Sequence, residues 1–217
     1  QPPSWKPPAD LINFIRAGTP PVYVGFGSMS AGDAQRVTRI VLEALRANRQ
    51  RAILLKGWGG LHVEDVPDSV YMVENIPHDW LFPQMSAITH HGGAGTTAAA
   101  LRAGMPQVII PHLADQPFWA QRVHDLGASP KPVSMNHLAS RVLASAIQQA
   151  VSDRQIRQRA KTIGQKSCLE DGVGRTDPDA LAAPGAAGVV GVAVAPDDDS
   201  SVLPPAAHIE HAHLLDL

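Results

Sequence analysis

The chain has 217 residues, 44% hydrophobic and 18% charged, a length and composition that fit one large globular domain with an appendage. Its net charge of −2 hides an asymmetry: residues 1–175 carry 18 basic and 13 acidic side chains, formally +5, whereas residues 176–217 carry seven acids and no Lys or Arg. A body at +5 without a basic patch among aromatics argues against nucleic acid and suits a small anionic ligand; the single Cys168 excludes an intramolecular disulfide.

Reading in order, QPPSWKPPAD is proline-rich, so residues 1–19 are expected to be a semi-rigid interdomain linker with a short helix over Leu11–Ala17 capped by Asp10. VYVGF at Val22–Phe26 is a buried-type strand running into the glycine turn GSMSAGD. Ser30 and Asp33 form a capping box for an amphipathic helix over Asp33–Asn48, with Val37, Ile40, Val41, Ala44 and Leu45 on one stripe. Arg51–Lys56 and Val70–Val73 are further strands, and NIPHDWLFPQ reads as a loop and helical turn anchored by Trp80, Leu81 and Phe82.

The stretch Met85–Leu113 organises the rest. Ser86–His90 is strand, His91–Thr97 a glycine-rich loop with two hydroxyls, Thr97–Ala103 helix, and Gln107–Ile110 the next buried strand. The first N–H groups of a helix lack intrahelical partners and carry about half a positive charge, so this βαβ unit offers a seat for a diphosphate. Gly92, Gly93 and Gly95 let a ligand approach the backbone, Thr96 and Thr97 can cap the helix or bond phosphate, and His91 adds an imidazole. His90 reads as a packing residue, since adjacent strand residues point oppositely. A helix follows from Pro117 to Gly127, another over His137–Val151 capped by Ser134 or Asn136, and a last one capped by Asp153 reaching about Lys166.

Strands alternating with helices over Pro21–Gly127 predict an α/β fold, a Rossmann-like doubly wound parallel sheet spanning residues 20–174, with its ligand in the crevice beyond the strand C-termini. The loops Gly25–Ser30, Trp58–Gly60, His91–Thr97 and His112–Gln116 fall there. Residues 175–217 read as a low-complexity, acidic, disordered or irregular C-terminal tail. Its HIEHAH has metal-like spacing, but solvated histidines are the simpler reading, and no metal site is expected. Ala180–Ala195 is too short and too broken to span a membrane, and no signal-peptide pattern opens the chain, so cytoplasmic residence is expected.

GFGSM, LLKGWGGL, NIPHDWLF, HHGGAGTT and PHLADQPFWA together resemble the C-terminal, donor-binding half of GT-B UDP-glycosyltransferases. The likeness is strongest to sterol glucosyltransferases and bacterial natural-product and lipid glycosyltransferases, and covers about Pro7–Gly174. It implies that His91, Ser28 and the amides around Gly93, Gly95, Thr96 and Thr97 hold the UDP diphosphate. It implies that Asp115 and Gln116 bond the hexose, with Trp119 lining the sugar pocket, and that Ile76, Trp80 and Trp58 lie at the uridine. The donor would be a UDP-hexose, UDP-glucose being expected, bound without metal or other cofactor. The acceptor would be a sterol, lipid or other small hydrophobic molecule, activated by a base on an N-terminal domain that this chain does not contain, so the chain alone is expected to be inactive.

Two rivals remain open to the sequence. A nicotinamide dehydrogenase wants an acid at the end of the second strand, where Lys56-Gly57 stands instead. A non-catalytic nucleotide-sugar-binding module needs only the donor residues. By composition alone, Asp115 could equally be an ordinary N-cap, and the tryptophans half-buried anchors.

Overall fold

The structure, a computed structural model, describes residues 5–26, 34–56 and 66–170. Five short strands, β1 (Val22–Gly25), β2 (Ala52–Leu55), β3 (Val70–Val73), β4 (Ala87–His90) and β5 (Gln107–Ile109), form one parallel sheet in the order β3-β2-β1-β4-β5. β1, β2, β4 and β5 are almost unbroken runs of buried side chains, as strands covered on both faces require, whereas the edge strand β3 is buried only at Val70 and Val73. Chain order reverses at the β1–β4 pair, where Val24 registers with Thr89 and Gly25 with His90. A doubly wound sheet has its crevice at such a reversal.

Helices cover both faces. Val22, Val24, Ala52, Leu54 and Ala87 pack against α2 (Ala34–Ala47) and α6 (Ser140–Ser152). Tyr23, Ile53 and Ile88 pack on the other face against α1 (Ala9–Arg16), α3 (His78–Leu81) and α4 (Ala94–Arg102). A third cluster joins Leu101 and Ile109 to α5 (Gln116–Asp125) and α7 (Arg154–Glu170). Each fully buried aliphatic side chain contributes about 1.5–3 kcal/mol by leaving water.

Several boundaries differ from the sequence reading. The segment from Trp5 to Arg16 belongs to the core rather than to a separate linker: Leu11 is fully buried, Trp5 packs edge-on against Trp80, and Asp10 accepts from Tyr71 Oη at 2.7 Å. Asp10 thus bonds across to β3, and α1 starts at Ala9 without a side-chain cap. Arg51 fastens the helix end by donating to the carbonyls of Phe14 and Thr19 while stacking over the Phe14 ring. The predicted start of α6 at His137 is a 3-10 turn, Met135–His137, and the α-helix begins at Ser140 with neither Ser134 nor Asn136 capping it. Asp153 caps as expected, accepting from the amides of Gln155 and Ile156 at 2.8 and 3.2 Å. The capping box at Ser30 and the tail over 175–217 lie outside the described residues.

Candidate functional site at the sheet reversal

The glycine loop between β4 and α4 is built from beneath by His90. Its ring is fully buried, accepts from the Gly92 amide at Nδ1 (3.0 Å) and pairs through Nε2 with Gln107 Oε1 (2.8 Å). One nitrogen accepting from an N–H leaves the proton on the other, so this ring is the neutral Nε2–H tautomer. Burial drives its pKa down to about 3. Gly92 has φ +91°, and a Cβ there would press on Ile109 Cγ2 at 2.9 Å, so only glycine closes the turn. The buried histidine, read from sequence as packing, is therefore what shapes the loop.

The turn delivers the chain to α4 three residues earlier than predicted. Gly93 is the N-cap, and the amide of Thr97 makes the first intrahelical bond, to Gly93 O at 2.9 Å. The amides ahead of it, at Ala94, Gly95 and Thr96, are those a helix leaves without intrahelical partners. Thr97 is thereby removed from the ligand set: its amide is engaged, and its buried hydroxyl donates to Gly93 O at 3.0 Å. Gly93 lies under the His91 ring, where a Cβ would sit 2.5 Å from Nε2. Gly95 is exposed and a Cβ there would meet nothing within 4 Å, so its lack of a side chain serves open space in front of the helix.

His91 is half-buried beside these amides, with Nδ1 buried and without a hydrogen-bond partner. Burial lowers its pKa, while Asp115 nearby pulls it back up. The loop after β5 brings Asp115 there through Ala114, whose φ of +57° is the left-handed region that costs a non-glycine residue about 1–2 kcal/mol. Gln116 holds that loop, its Oε1 accepting from the amides of His112 (2.8 Å) and Leu113 (3.2 Å). Asp115 holds the N-cap position of α5 without a side-chain cap; its carboxylate stays exposed and accepts from Trp119 Nε1 at 2.8 Å.

Four expected contacts need correction. Trp119 is buried, its Nε1 tied to Asp115, and it lines the narrow crevice between α4 and α5 with Ala98 and Leu101, so its ring supports the acid from below. Gln116, also buried, spends its carbonyl on the loop backbone. Ile76 and Trp80 belong to the core, Trp80 beneath Trp5, and a covered ring has no face for a base. Ser28 and Trp58 lie outside the described residues. Sequence reading passed over His112, which stands at the end of β5 and meets Phe26 edge-on at 5.8 Å. No group of three or more His, Cys, Asp or Glu among the described residues could hold a metal, and no described helix is long and apolar enough to cross a membrane.

Comparison with known proteins identifies the family and the fold. Residues 45–172 match the family model described as erythromycin biosynthesis protein CIII-like, C-terminal domain. Sterol 3-beta-glucosyltransferase UGT80A2 of Arabidopsis thaliana is 43% identical over 171 residues, covering 78% of this chain and 27% of that protein. The sterol 3-beta-glucosyltransferase of Komagataella phaffii is 39% identical over 181 residues, covering 78% of this chain and 15% of that protein. The chain thus spans about a quarter or less of the length of these curated relatives. Among solved structures, the glycosyltransferase SnogD of Streptomyces nogalater superposes with a TM-score of 0.55 at 26% identity, over 79% of this chain and 45% of that one. The calicheamicin glycosyltransferase CalG4 shares the fold, with a TM-score of 0.62 at 22% identity over 83% of this chain and 43% of that one. A parallel sheet reversing at β1–β4, a glycine loop opening α4, and these matches make the chain a member of the erythromycin biosynthesis protein CIII-like C-terminal family, a glycosyltransferase C-terminal domain of the GT-B type related to the sterol glucosyltransferases.

Proposed function

We propose that this domain binds a UDP-hexose, UDP-glucose foremost, and presents it for inverting transfer to a hydroxyl of a sterol, lipid or other small hydrophobic acceptor. The observation that carries the reading is the row of amides at Ala94, Gly95 and Thr96, opened by the bare Gly95 at the sheet reversal with His91 alongside. As the glycosidic bond breaks, the UDP leaving group gathers negative charge. Oriented N–H groups and an imidazole favour that charge more in the transition state than in the ground state. Asp115, exposed and held by Trp119, would accept from hexose hydroxyls, and the acceptor's proton would go to a base on a separate domain.

On this reading UDP binds the 217-residue chain in EDTA, because a helix terminus stands where a metal could otherwise neutralise the diphosphate. His91→Ala is expected to weaken UDP by ~1.5–3 kcal/mol, one charge-assisted bond, and to leave uridine unaffected. Calorimetric titration of both ligands decides it, and equal losses would move His91 away from the phosphates. Asp115→Ala should weaken UDP-glucose but not UDP; matched losses for the two ligands would place Asp115 away from the sugar. The chain by itself is expected to release no UDP from UDP-glucose, and release only on adding an acceptor-binding half separates an enzyme's donor domain from a plain binding module.

A further inference from the structure

We propose that His112 is a second imidazole contacting the donor's diphosphate, working alongside His91; the assignment rests on the donor-site reading above. His112 lies three residues beyond β5, and Phe26 one residue beyond β1. β4 runs between those strands. Two strand spacings of about 4.8 Å separate the two backbones, yet the ring centroids are 5.8 Å apart. Both side chains therefore lean inward over the end of β4, from which His91 leaves. This is the mouth of the crevice, not the edge of the sheet.

The ring is also held in place. The His112 amide is fixed by Gln116 Oε1, Phe26 supports the ring edge-on, and Nδ1 is buried, with the Ile110 carbonyl close by but no hydrogen bond of good geometry. The residue as a whole is half-buried. A ring that only filled space beside Phe26 would not need two nitrogens, and phenylalanine would serve as well.

Electrostatics supply the readout. The titratable neighbour of His112 is His91 from the end of β4, and behind that stands Asp115 before α5; from β1 the described contact is the uncharged Phe26, and from β5 the Ile110 carbonyl. Burial foremost, then His91, lowers the His112 pKa, the Ile110 carbonyl opposing them. Both imidazoles thus take up a proton less readily than a histidine in water. A diphosphate favours their charged forms, so binding should draw protons from solution.

The test titrates UDP and uridine into the full chain at pH 7, in two buffers of unequal ionisation enthalpy, with wild type, His112→Phe and His112→Gln. Wild type should take up protons with UDP and not with uridine. His112→Phe should lose about tenfold or more in UDP affinity together with part of the proton uptake, uridine binding being unchanged. His112→Gln, which keeps a donor, should fall between the two, and it carries the test if the phenylalanine variant melts early. His112→Phe binding UDP with wild-type affinity and proton uptake would reduce His112 to packing. Absence of UDP binding by wild type would remove the donor-site reading and this assignment with it.

Discussion

Gly95→Leu should abolish binding of UDP and UDP-glucose, by more than a hundredfold, while leaving the melting temperature of the free chain unchanged or raised. The two halves of that expectation come from one observation. A Cβ at Gly95 meets no atom within 4 Å, so a side chain leaves the backbone there without a clash. In a helix leucine is favoured over glycine by roughly 0.5–1 kcal/mol, so stability does not fall. The room it takes is the space before the amides of Ala94, Gly95 and Thr96. Most mutations that destroy binding do so by weakening the fold; here the effects part company. A thermal melt and a calorimetric titration on the same sample check both. Retained UDP binding would mean that the diphosphate seats elsewhere.

The second large effect concerns His90 and acid. Its folded-state pKa is depressed from 6.5 to about 3, so the unfolded chain takes up a proton that the native one refuses. Stability from this group is fully present above pH 6.5 and is lost as pH falls from there towards 3. The loss runs at about 1.4 kcal/mol per pH unit, about 4–5 kcal/mol over the window. That is comparable with the whole stability of a modest domain. His90→Asn keeps an acceptor for the Gly92 amide but leaves Gln107 Oε1 without its buried donor, at a cost of about 1–3 kcal/mol at pH 7. The stability gap between wild type and His90→Asn should therefore narrow as pH falls. Urea midpoints at pH 7, 6, 5 and 4 measure it, and parallel curves would show that His90 does not carry the acid sensitivity. His78, His91 and His112 are lowered too, chiefly by burial, and add the same sign to both curves.

The two experiments bear on one arrangement. His90 and Gln107 support Gly92 from the core, Gly92 turns the chain, and the turn sets the direction of the α4 amides. A defect at His90 should therefore appear first as lost stability and second as lost affinity, whereas one at Gly95 should appear in affinity alone.

Much of this was written in the sequence. The parallel α/β sheet followed from short all-apolar strands alternating with amphipathic helices, and the glycine loop was legible as a tight turn opening a helix. The strand order, and hence the crevice at β1–β4, required the pairing of strands far apart in the chain, which local patterns do not encode.

Side-chain assignments divided in the same way. That His91 and Asp115 stand close together beyond the strand ends followed from the order of the motifs. Thr97, Trp119, Ile76 and Trp80 were not legible, since a hydroxyl or an aromatic ring reads alike in a site or in a core, and only the packing around it tells which. His90 was visible as a histidine beside another, but its task depended on Gln107, 17 residues away on the neighbouring strand. Sequence by itself determined which backbone could receive an anion, because glycine's freedom is a local property. Which side chains stand open beside the glycine loop was decided by tertiary structure alone, because burial is set by neighbours distant in the chain.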